Sequence, residues 1–170
     1  VDSTLIRFVW NEHLSGTLNR YPNLIAQVLP KLHAIIRPMM TLTQWTQDSP
    51  DKMGFSVPFV TLPGTQELQA RVRVHLLGNE SDAVFHIAGL SGIGKTRTVI
   101  QACLTDDRLR DALYIGRFSD ITQDLWRRLT APDVHLRLVI DEVPLEEVTR
   151  LQGRFDGRGD QIRILSIGPA

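Results

Sequence analysis

Eight consecutive residues in the middle of the chain have the types and spacing of a phosphate-binding loop. Residues 89–96 are Gly-Leu-Ser-Gly-Ile-Gly-Lys-Thr, which satisfies the pattern G-x-x-x-x-G-K-[ST]. Glycines at these positions let backbone N–H groups converge on phosphate oxygens, because no side chains obstruct the concavity. Lys95 would supply a cation for the β and γ phosphates, and the Thr96 hydroxyl would be placed to bind Mg²⁺. The pattern therefore predicts a nucleotide site.

The segments on either side of this loop have the composition of a strand and a helix. The run 83–88 is short and apolar, as in a buried strand, and residues 97–104 suit the first turns of a helix. A strand, a glycine loop and a helix in this order form the context that the pattern requires. The alternative is a glycine-rich turn that arose by chance, and it predicts no such context.

A second group of candidate residues lies downstream, where an apolar run ends in two carboxylates. Residues 136–142 are Leu-Arg-Leu-Val-Ile-Asp-Glu. A buried parallel strand carries its C-terminal end to the sheet edge where ligands collect in α/β folds. There Asp141 would hold Mg²⁺ through its water shell, and Glu142 would polarise an attacking water. The alternative is a plain strand followed by an acidic helix start, since Pro144 is well placed to open a helix.

These two motifs resemble those of the ASCE class of P-loop NTPases. Residues 89–96 resemble a Walker A motif, and residues 138–142 resemble a Walker B motif with the adjacent glutamate of that class. The glycine loop is similar in style to those of STAND and AAA-like ATPases, including bacterial defence sensors. The resemblance covers about residues 55–170.

The resemblance implies ATP and Mg²⁺ as cofactors and a role for each motif residue. Thr96 and Asp141 would bind the metal, and Lys95 and Glu142 would be the catalytic residues. The residues expected to bind the nucleotide are Gly89, Ser91, Gly92, Ile93, Gly94, Lys95, Thr96 and Arg97.

The apolar runs predict an α/β fold built on a parallel sheet. Four strands are expected, at about 83–88, 112–118, 136–141 and 162–167. The resemblance implies a three-layer P-loop core with strand order 5-1-4-3-2, which places the last run between the two motif strands. Ser166 would then lie near the γ-phosphate in a sensor position, although the Ser-Ile-Gly-Pro end departs from the Thr-Ser-Arg-like end of STAND proteins. A fifth strand and a lid are expected to be missing, so we predict a core that is truncated at its C-terminal end.

Two regions are predicted along the chain. Residues 1–54 would form a helical N-terminal arm or the tail of an effector domain, with residues 44–54 as a linker rich in Ser, Asp, Pro and Lys. Residues 55–170 would form the nucleotide-binding core. Within the core, residues 57–60 could offer apolar walls to a base or could simply cover the sheet edge.

Helices between the strands are predicted from apolar stripes and capping residues. Ser119 or Asp120 is expected to cap a helix that buries Ile121, Leu125 and Leu129. A helix ending at Gly153 is expected to bury Leu145, Val148 and Leu151. An upstream helix is expected to bury Leu68, Val72 and Leu76 and to end at Gly78.

Composition restricts the partners. The chain has 170 residues with 19 basic and 19 acidic side chains, so no bulk charge draws it toward nucleic acid. The single Cys103 cannot form an internal disulfide, and no apolar run is long enough to span a membrane. These features predict a cytoplasmic protein that does not bind membranes.

Together the motifs predict slow, Mg²⁺-dependent ATP hydrolysis that acts as a conformational or oligomerisation switch in a larger signalling or defence protein. Its partners would be further copies of the same domain and the effector and sensor domains of the same protein. Two alternatives remain open, a nucleotide-gated scaffold without appreciable turnover and a P-loop small-molecule kinase. An arginine finger from a neighbouring subunit would come from one of four residues, Arg150, Arg154, Arg158 and Arg163.

Overall fold

The computed structural model describes residues 39–48, 58–78 and 82–170. Most of the predicted N-terminal arm and part of its linker lie outside these ranges, as does Val57 of the predicted base-binding segment. No helix of the described residues is long and apolar enough to cross a membrane.

A mixed sheet forms the centre of the described chain. Its strands are β1 (Met40–Thr41), β2 (Val84–Ala88), β3 (Leu113–Ile115), β4 (Leu136–Ile140) and β5 (Ile162–Gly168). Their order is β1-β3-β4-β5-β2, and all neighbours are parallel except β1 and β3. The predicted α/β fold is confirmed, and so is the position of β5 between β2 and β4. The expectation of a purely parallel sheet is wrong, because β1 adds an antiparallel edge.

Helices pack on both faces of the sheet. They are α1 (Leu42–Asp48), α2 (Pro63–Leu77), α3 (Lys95–Leu104), α4 (Gln123–Leu129) and α5 (Leu145–Phe155), and a 3-10 turn covers Phe118–Asp120. Successive strand residues point to opposite faces, so the sheet divides two apolar cores. The α4 and α5 side chains pack with Leu138, and those of α1, α2 and α3 pack with Val139. Cys103 is buried in the second core.

The parallel register brings four strand ends to one edge of the sheet. Ala88 pairs with Gly168, and Ile140 pairs with both Ser166 and Ile115. The segments that follow β2, β3, β4 and β5 therefore begin side by side. We call this the carboxyl edge of the sheet.

Three local predictions are corrected by the structure. Residues 44–48 are not linker, because they belong to α1. Thr122, rather than Ser119 or Asp120, caps α4 and accepts a hydrogen bond from the Leu125 N–H at 3.2 Å. The helix that was expected to end at Gly153 continues to Phe155, where a fully buried ring anchors its last turn.

The predicted apolar stripes are otherwise close to those observed. Ile121, Leu125 and Leu129 are buried, and α2 buries Val72 and Leu76 and ends at Gly78. Two residues are exceptions, because Leu145 is exposed at the start of α5 and Leu68 is only partly buried. The buried residues of α5 are Val148, Leu151 and Phe155.

Candidate functional site at the carboxyl edge

The glycine loop, residues 89–94, connects β2 to the first turn of α3. Gly92 and Gly94 have φ values of 81° and 87°, in the left-handed region that glycine occupies without strain. Gly94 is the N-cap residue of α3. The N–H groups of the first helical turn have no acceptor within the helix, so they and the helix dipole favour an anion at this point.

Lys95 folds back over this loop. Its Nζ atom donates to the carbonyl oxygens of Gly89 and Leu90, each at 2.7 Å. A Cβ atom at position 89 would lie 3.3 Å from Lys95 Cδ and 3.0 Å from Ile93 Cδ1, so glycine leaves the room that the lysine stem uses. The ammonium group is therefore held at the loop by two acceptors that a phosphate could replace.

The Asp141 carboxylate is buried beneath the loop and accepts three hydrogen bonds. Its Oδ2 atom accepts from Thr96 Oγ1 at 2.8 Å and from Tyr114 OH at 3.0 Å, and its Oδ1 atom accepts from the Glu142 N–H at 2.8 Å. The carboxylate is therefore held by three hydrogen bonds, and the residue is only 7% exposed. These bonds offset the cost of burying the charge.

Glu142 lies next to Asp141 in sequence, but its side chain faces a different partner. Its backbone has a φ of 52°, which is a strained conformation for a residue other than glycine. The side chain is 67% exposed, and Oε2 lies 3.7 Å from Arg117 Nε. The two carboxylates are thus separated, one buried against Thr96 and one in solvent.

The segment after Glu142 docks onto the end of β5. Val143 is buried, and its N–H donates to the Ile167 carbonyl at 2.8 Å. The Val143 carbonyl oxygen lies so close to Gly168 that a Cβ atom there would collide with it. Gly168 therefore allows the chain to cross the sheet edge at this level.

An open cavity of about 410 Å³ lies between these groups. The glycine loop and α3 form one wall, the segment after β4 forms another, and the end of β5 closes the base. The lining residues are Ser91, Gly92, Lys95, Thr96, Asp141, Glu142, Pro144, Ile167, Gly168 and Pro169. The sequence-predicted residues Lys95, Thr96, Asp141 and Glu142 are thereby brought together around one space.

Ser166 is not brought into this cavity. It is fully buried in β5, and its hydroxyl is hydrogen-bonded to His86 Nδ1 at 2.9 Å. Burial lowers the pKa of His86, the hydrogen bond with Ser166 raises it, and the nearby Lys95 charge lowers it further, so the net shift is downward. The predicted sensor residue therefore does not line the cavity.

The remaining nucleotide-binding candidates lie at the rim or beyond it. Gly89 and Gly94 shape the loop, and the exposed Ile93 points away from the core. The Arg97 guanidinium lies 5.8 Å from the centre of the Phe59 ring. Phe59 and Val60 precede α2, and neither lines the cavity.

The four arginines considered as fingers differ in their availability. Arg163 is buried and Arg158 donates to carbonyls after α4, so both support the fold. Arg154 lies over the Trp126 ring at 4.6 Å. Arg150 is exposed in an ion pair with Glu147. None of the four lines the cavity.

Two residues that contact the site, Tyr114 and Arg117, were not predicted from the sequence. Both lie in the run 112–118, which has the composition of an ordinary strand. The only available signal was a polar group in each side chain at the end of a strand that was expected to reach the carboxyl edge. The strand order implied by the motif resemblance already places these two strands side by side, but it does not give the register and side-chain contact that bring Tyr114 to Asp141.

The donor set suits a hard divalent cation together with an anionic ligand. Thr96 gives its proton to Asp141, so its oxygen lone pairs remain free for a metal ion. The described residues contain no cluster of three or more His, Cys, Asp or Glu side chains that could hold a metal by themselves. Mg²⁺ retains several waters and takes oxygens from a bound phosphate, so two protein oxygens are compatible with it.

Comparison with known proteins does not extend these observations, because no family model, curated protein or solved structure matches the chain.

Proposed function

We propose that this chain is a Mg²⁺-dependent ATP-binding domain of the P-loop NTPase class, with slow hydrolysis that drives a conformational or oligomerisation switch. The observation that carries the proposal is the 2.8 Å hydrogen bond between Thr96 and Asp141. It joins two motifs that lie 45 residues apart, each of which independently predicted a Mg²⁺-binding oxygen. The larger signalling or defence protein remains part of the proposal through the motif resemblance alone.

Four side chains of the cavity have distinct roles in this proposal. Lys95 would leave the Gly89 and Leu90 carbonyls and pair with phosphate oxygens, while the glycine loop and the first turn of α3 supply N–H donors. Thr96 would bind Mg²⁺ directly, and Asp141 would orient Thr96 and accept hydrogen bonds from the waters of the metal. Glu142 would orient and polarise the water that attacks the γ-phosphate.

The first experiment measures ATP affinity by calorimetry with Mg²⁺ and with EDTA. Lys95→Ala should weaken binding by about 2 to 4 kcal/mol, because a phosphate charge loses its partner. Asp141→Asn should weaken binding in Mg²⁺ and leave the affinity in EDTA nearly unchanged. Arg128→Ala is the matched control, an exposed cation on α4 outside the cavity. If folded Lys95→Ala binds ATP with unchanged affinity, the assignment of residues 89–96 as a phosphate-binding loop is wrong.

A second experiment separates hydrolysis from binding. Glu142→Gln keeps the size of the side chain and removes its charge, so it should retain ATP and lose turnover. Glu146→Gln is the control, since that glutamate is exposed in the first turn of α5 and does not line the cavity. Wild-type turnover in Glu142→Gln would show that the glutamate is not the catalytic base.

One observation favours a second candidate function, a nucleotide-gated scaffold without appreciable turnover. Glu142 lies beside Arg117 in solvent and has no contact with Asp141 beyond its own N–H. A scaffold would bind Mg²⁺·ATP as tightly as the ATPase and release no phosphate in a steady-state assay. Arg117→Ala distinguishes the two, because releasing Glu142 should raise the turnover of an ATPase and leave a scaffold inactive.

A further inference from the structure

Tyr114 directs a buried hydroxyl group at the proposed metal-site carboxylate. The residue is 2% exposed in β3, and its OH donates to Asp141 Oδ2 at 3.0 Å. A tyrosine phenol carries its proton at neutral pH, and here it donates that proton to the carboxylate.

This donor shares one oxygen with Thr96. Oδ2 of Asp141 accepts from both hydroxyls, so the direction of the tyrosine bond decides where Oδ2 lies relative to Thr96. The Glu142 N–H holds only the other oxygen, Oδ1. Without the phenol, the carboxylate could rotate about its side-chain bonds, and the Thr96 hydroxyl would lose its fixed acceptor.

The Tyr114 ring is in turn covered by Trp45, a residue of α1. The two ring centres are 4.6 Å apart, with planes tilted by 50°. The segment that carries Trp45, residues 39–48, is attached to the sheet by the short strand β1 and by the Leu42 N–H, which donates to the Ala112 carbonyl at 3.0 Å. Contact between the aromatic rings therefore links the docking of this segment to the orientation of the phenol.

We propose that Tyr114 is a positioning residue for the Mg²⁺ site and that α1 controls it through Trp45. This inference rests on the proposed function, since it concerns the metal of that same site. Docking of residues 39–48 holds the phenol against Asp141, and Asp141 then holds Thr96 in the orientation that binds the metal. Release of the segment uncovers the ring and loosens the carboxylate. The segment is thus a regulator of metal affinity.

The test is the ratio of ATP affinity in Mg²⁺ to that in EDTA. Tyr114→Phe keeps the ring and its contact with Trp45 and removes only the hydroxyl. The ratio should fall by about tenfold, since a hydrogen bond to a charged group contributes at least that factor. Thr130→Val is the control, because it removes a hydroxyl that bonds to the Trp126 carbonyl away from the cavity. An unchanged ratio in Tyr114→Phe, or equal losses in both buffers, overturns the positioning role.

A double-mutant cycle tests the control by α1. Trp45→Leu should lower the same ratio by about threefold or more in the wild-type background. In the Tyr114→Phe background it should have no further effect on the ratio, because the hydroxyl that it acts through is already absent. Equal effects in the two backgrounds overturn the transmission through Tyr114.

The outcome for wild type separates this proposal from the one beneath it. If wild-type protein shows no gain in ATP affinity from Mg²⁺, the metal site itself is refuted. If the gain is present and survives both substitutions, the site stands and only the role of Tyr114 and Trp45 falls. Thermal unfolding of each variant without nucleotide confirms that the compared proteins are folded.

Discussion

The two edges of the parallel sheet use charged side chains in opposite ways. At the amino edge, Arg163 donates to the Gly78 and Asp82 carbonyls at 2.8 and 3.0 Å, and Arg137 donates to the Leu76 carbonyl at 2.9 Å. These arginines occupy paired positions on β5 and β4, and the like charges are tolerated because the C-terminal end of α2 attracts cations. At the carboxyl edge, Lys95 and Asp141 face a cavity.

The charged side chains at the two edges differ in whether their hydrogen bonds can be transferred to a ligand. The amino-edge arginines satisfy backbone carbonyls at the end of α2 and just before β2, so their bonds are part of the fold. Lys95 bonds to carbonyls of its own exposed loop, and Asp141 bonds to hydroxyls that can also face a metal. A charge committed to another element stabilises the protein, whereas a charge held beside a cavity can transfer its bonds to a ligand.

The largest effect on stability is expected at the amino edge. Arg163→Met should lower the free energy of unfolding by about 3 kcal/mol, because two carbonyls lose a charged donor in a site that water reaches poorly. ATP affinity of the folded protein should not change. Urea denaturation and calorimetry provide the two measurements. Arg127→Met, on the exposed side of α4, is the control, and a similar loss in both would contradict the comparison.

Gly168 is an exception to this comparison of the two edges. It lies at the carboxyl edge, but its substitution should lower stability because it allows close packing. Gly168→Ala places a Cβ atom against the Val143 carbonyl, so we expect about 2 kcal/mol of destabilisation. Gly153→Ala is the matched control, since a Cβ atom there meets nothing within 4 Å. That substitution lies inside α5 and should stabilise by about 0.5 to 1 kcal/mol. Equal stability changes for the two alanines, measured by urea denaturation, would refute the close approach.

Lys95 should show the reverse of Arg163. Although Lys95→Ala removes two short hydrogen bonds, the acceptors are the carbonyls of the half-buried Gly89 and the exposed Leu90, and water can replace the lysine in this surface loop. We expect less than about 1 kcal/mol of lost stability, alongside the large loss of ATP affinity described above. Thermal or urea unfolding without nucleotide is the measurement. If Lys95→Ala lowered the free energy of unfolding as much as Arg163→Met, the hydrogen bonds of Lys95 would be part of what stabilises the fold.

The smallest expected effect is the pH response of His86 beneath the cavity. Its pKa is lower in the folded protein than its ordinary value of 6.5, so the unfolded chain binds a proton more readily below that pH. Stability should therefore decrease as the pH falls below about 6.5 and level off below the folded pKa. His86→Asn retains a hydrogen-bonding atom toward Ser166 without titrating, so its stability should decline less. Parallel pH profiles of the two proteins would exclude the contribution of His86.

The elements with a strong local pattern could be predicted from the sequence. The glycine loop, β4 with its terminal carboxylates and the buried residues of α2 and α4 depend on spacing and on short apolar runs. Strand β1 could not be predicted, because two residues carry no periodicity and its partner β3 lies about seventy positions away. The contact between Tyr114 and Asp141 could not be predicted either, because strand order alone does not give the register and side-chain positions that create it.

Errors at helix ends have a different physical origin. Ser119, Asp120 and Thr122 are all good capping residues, so composition alone cannot choose among them. In the structure Ser119 and Asp120 belong to the 3-10 turn Phe118–Asp120, and Thr122 is the N-cap residue of α4. Gly153 is a favourable helix end in isolation, but burial of Phe155 carries α5 past it. Tertiary packing overrides local preference at both positions.

At position 142, the left-handed backbone conformation and the proposed catalytic role favour different residues. A residue with a Cβ atom costs about 1 to 2 kcal/mol in that conformation. Glycine avoids this cost, and asparagine offsets part of it because its short polar side chain can hydrogen-bond locally. A mutant library sorted only for survival at high temperature would therefore enrich glycine or asparagine at position 142 and discard the carboxylate proposed to activate water. Directed evolution for thermal stability would then remove the residue that the proposed hydrolysis requires.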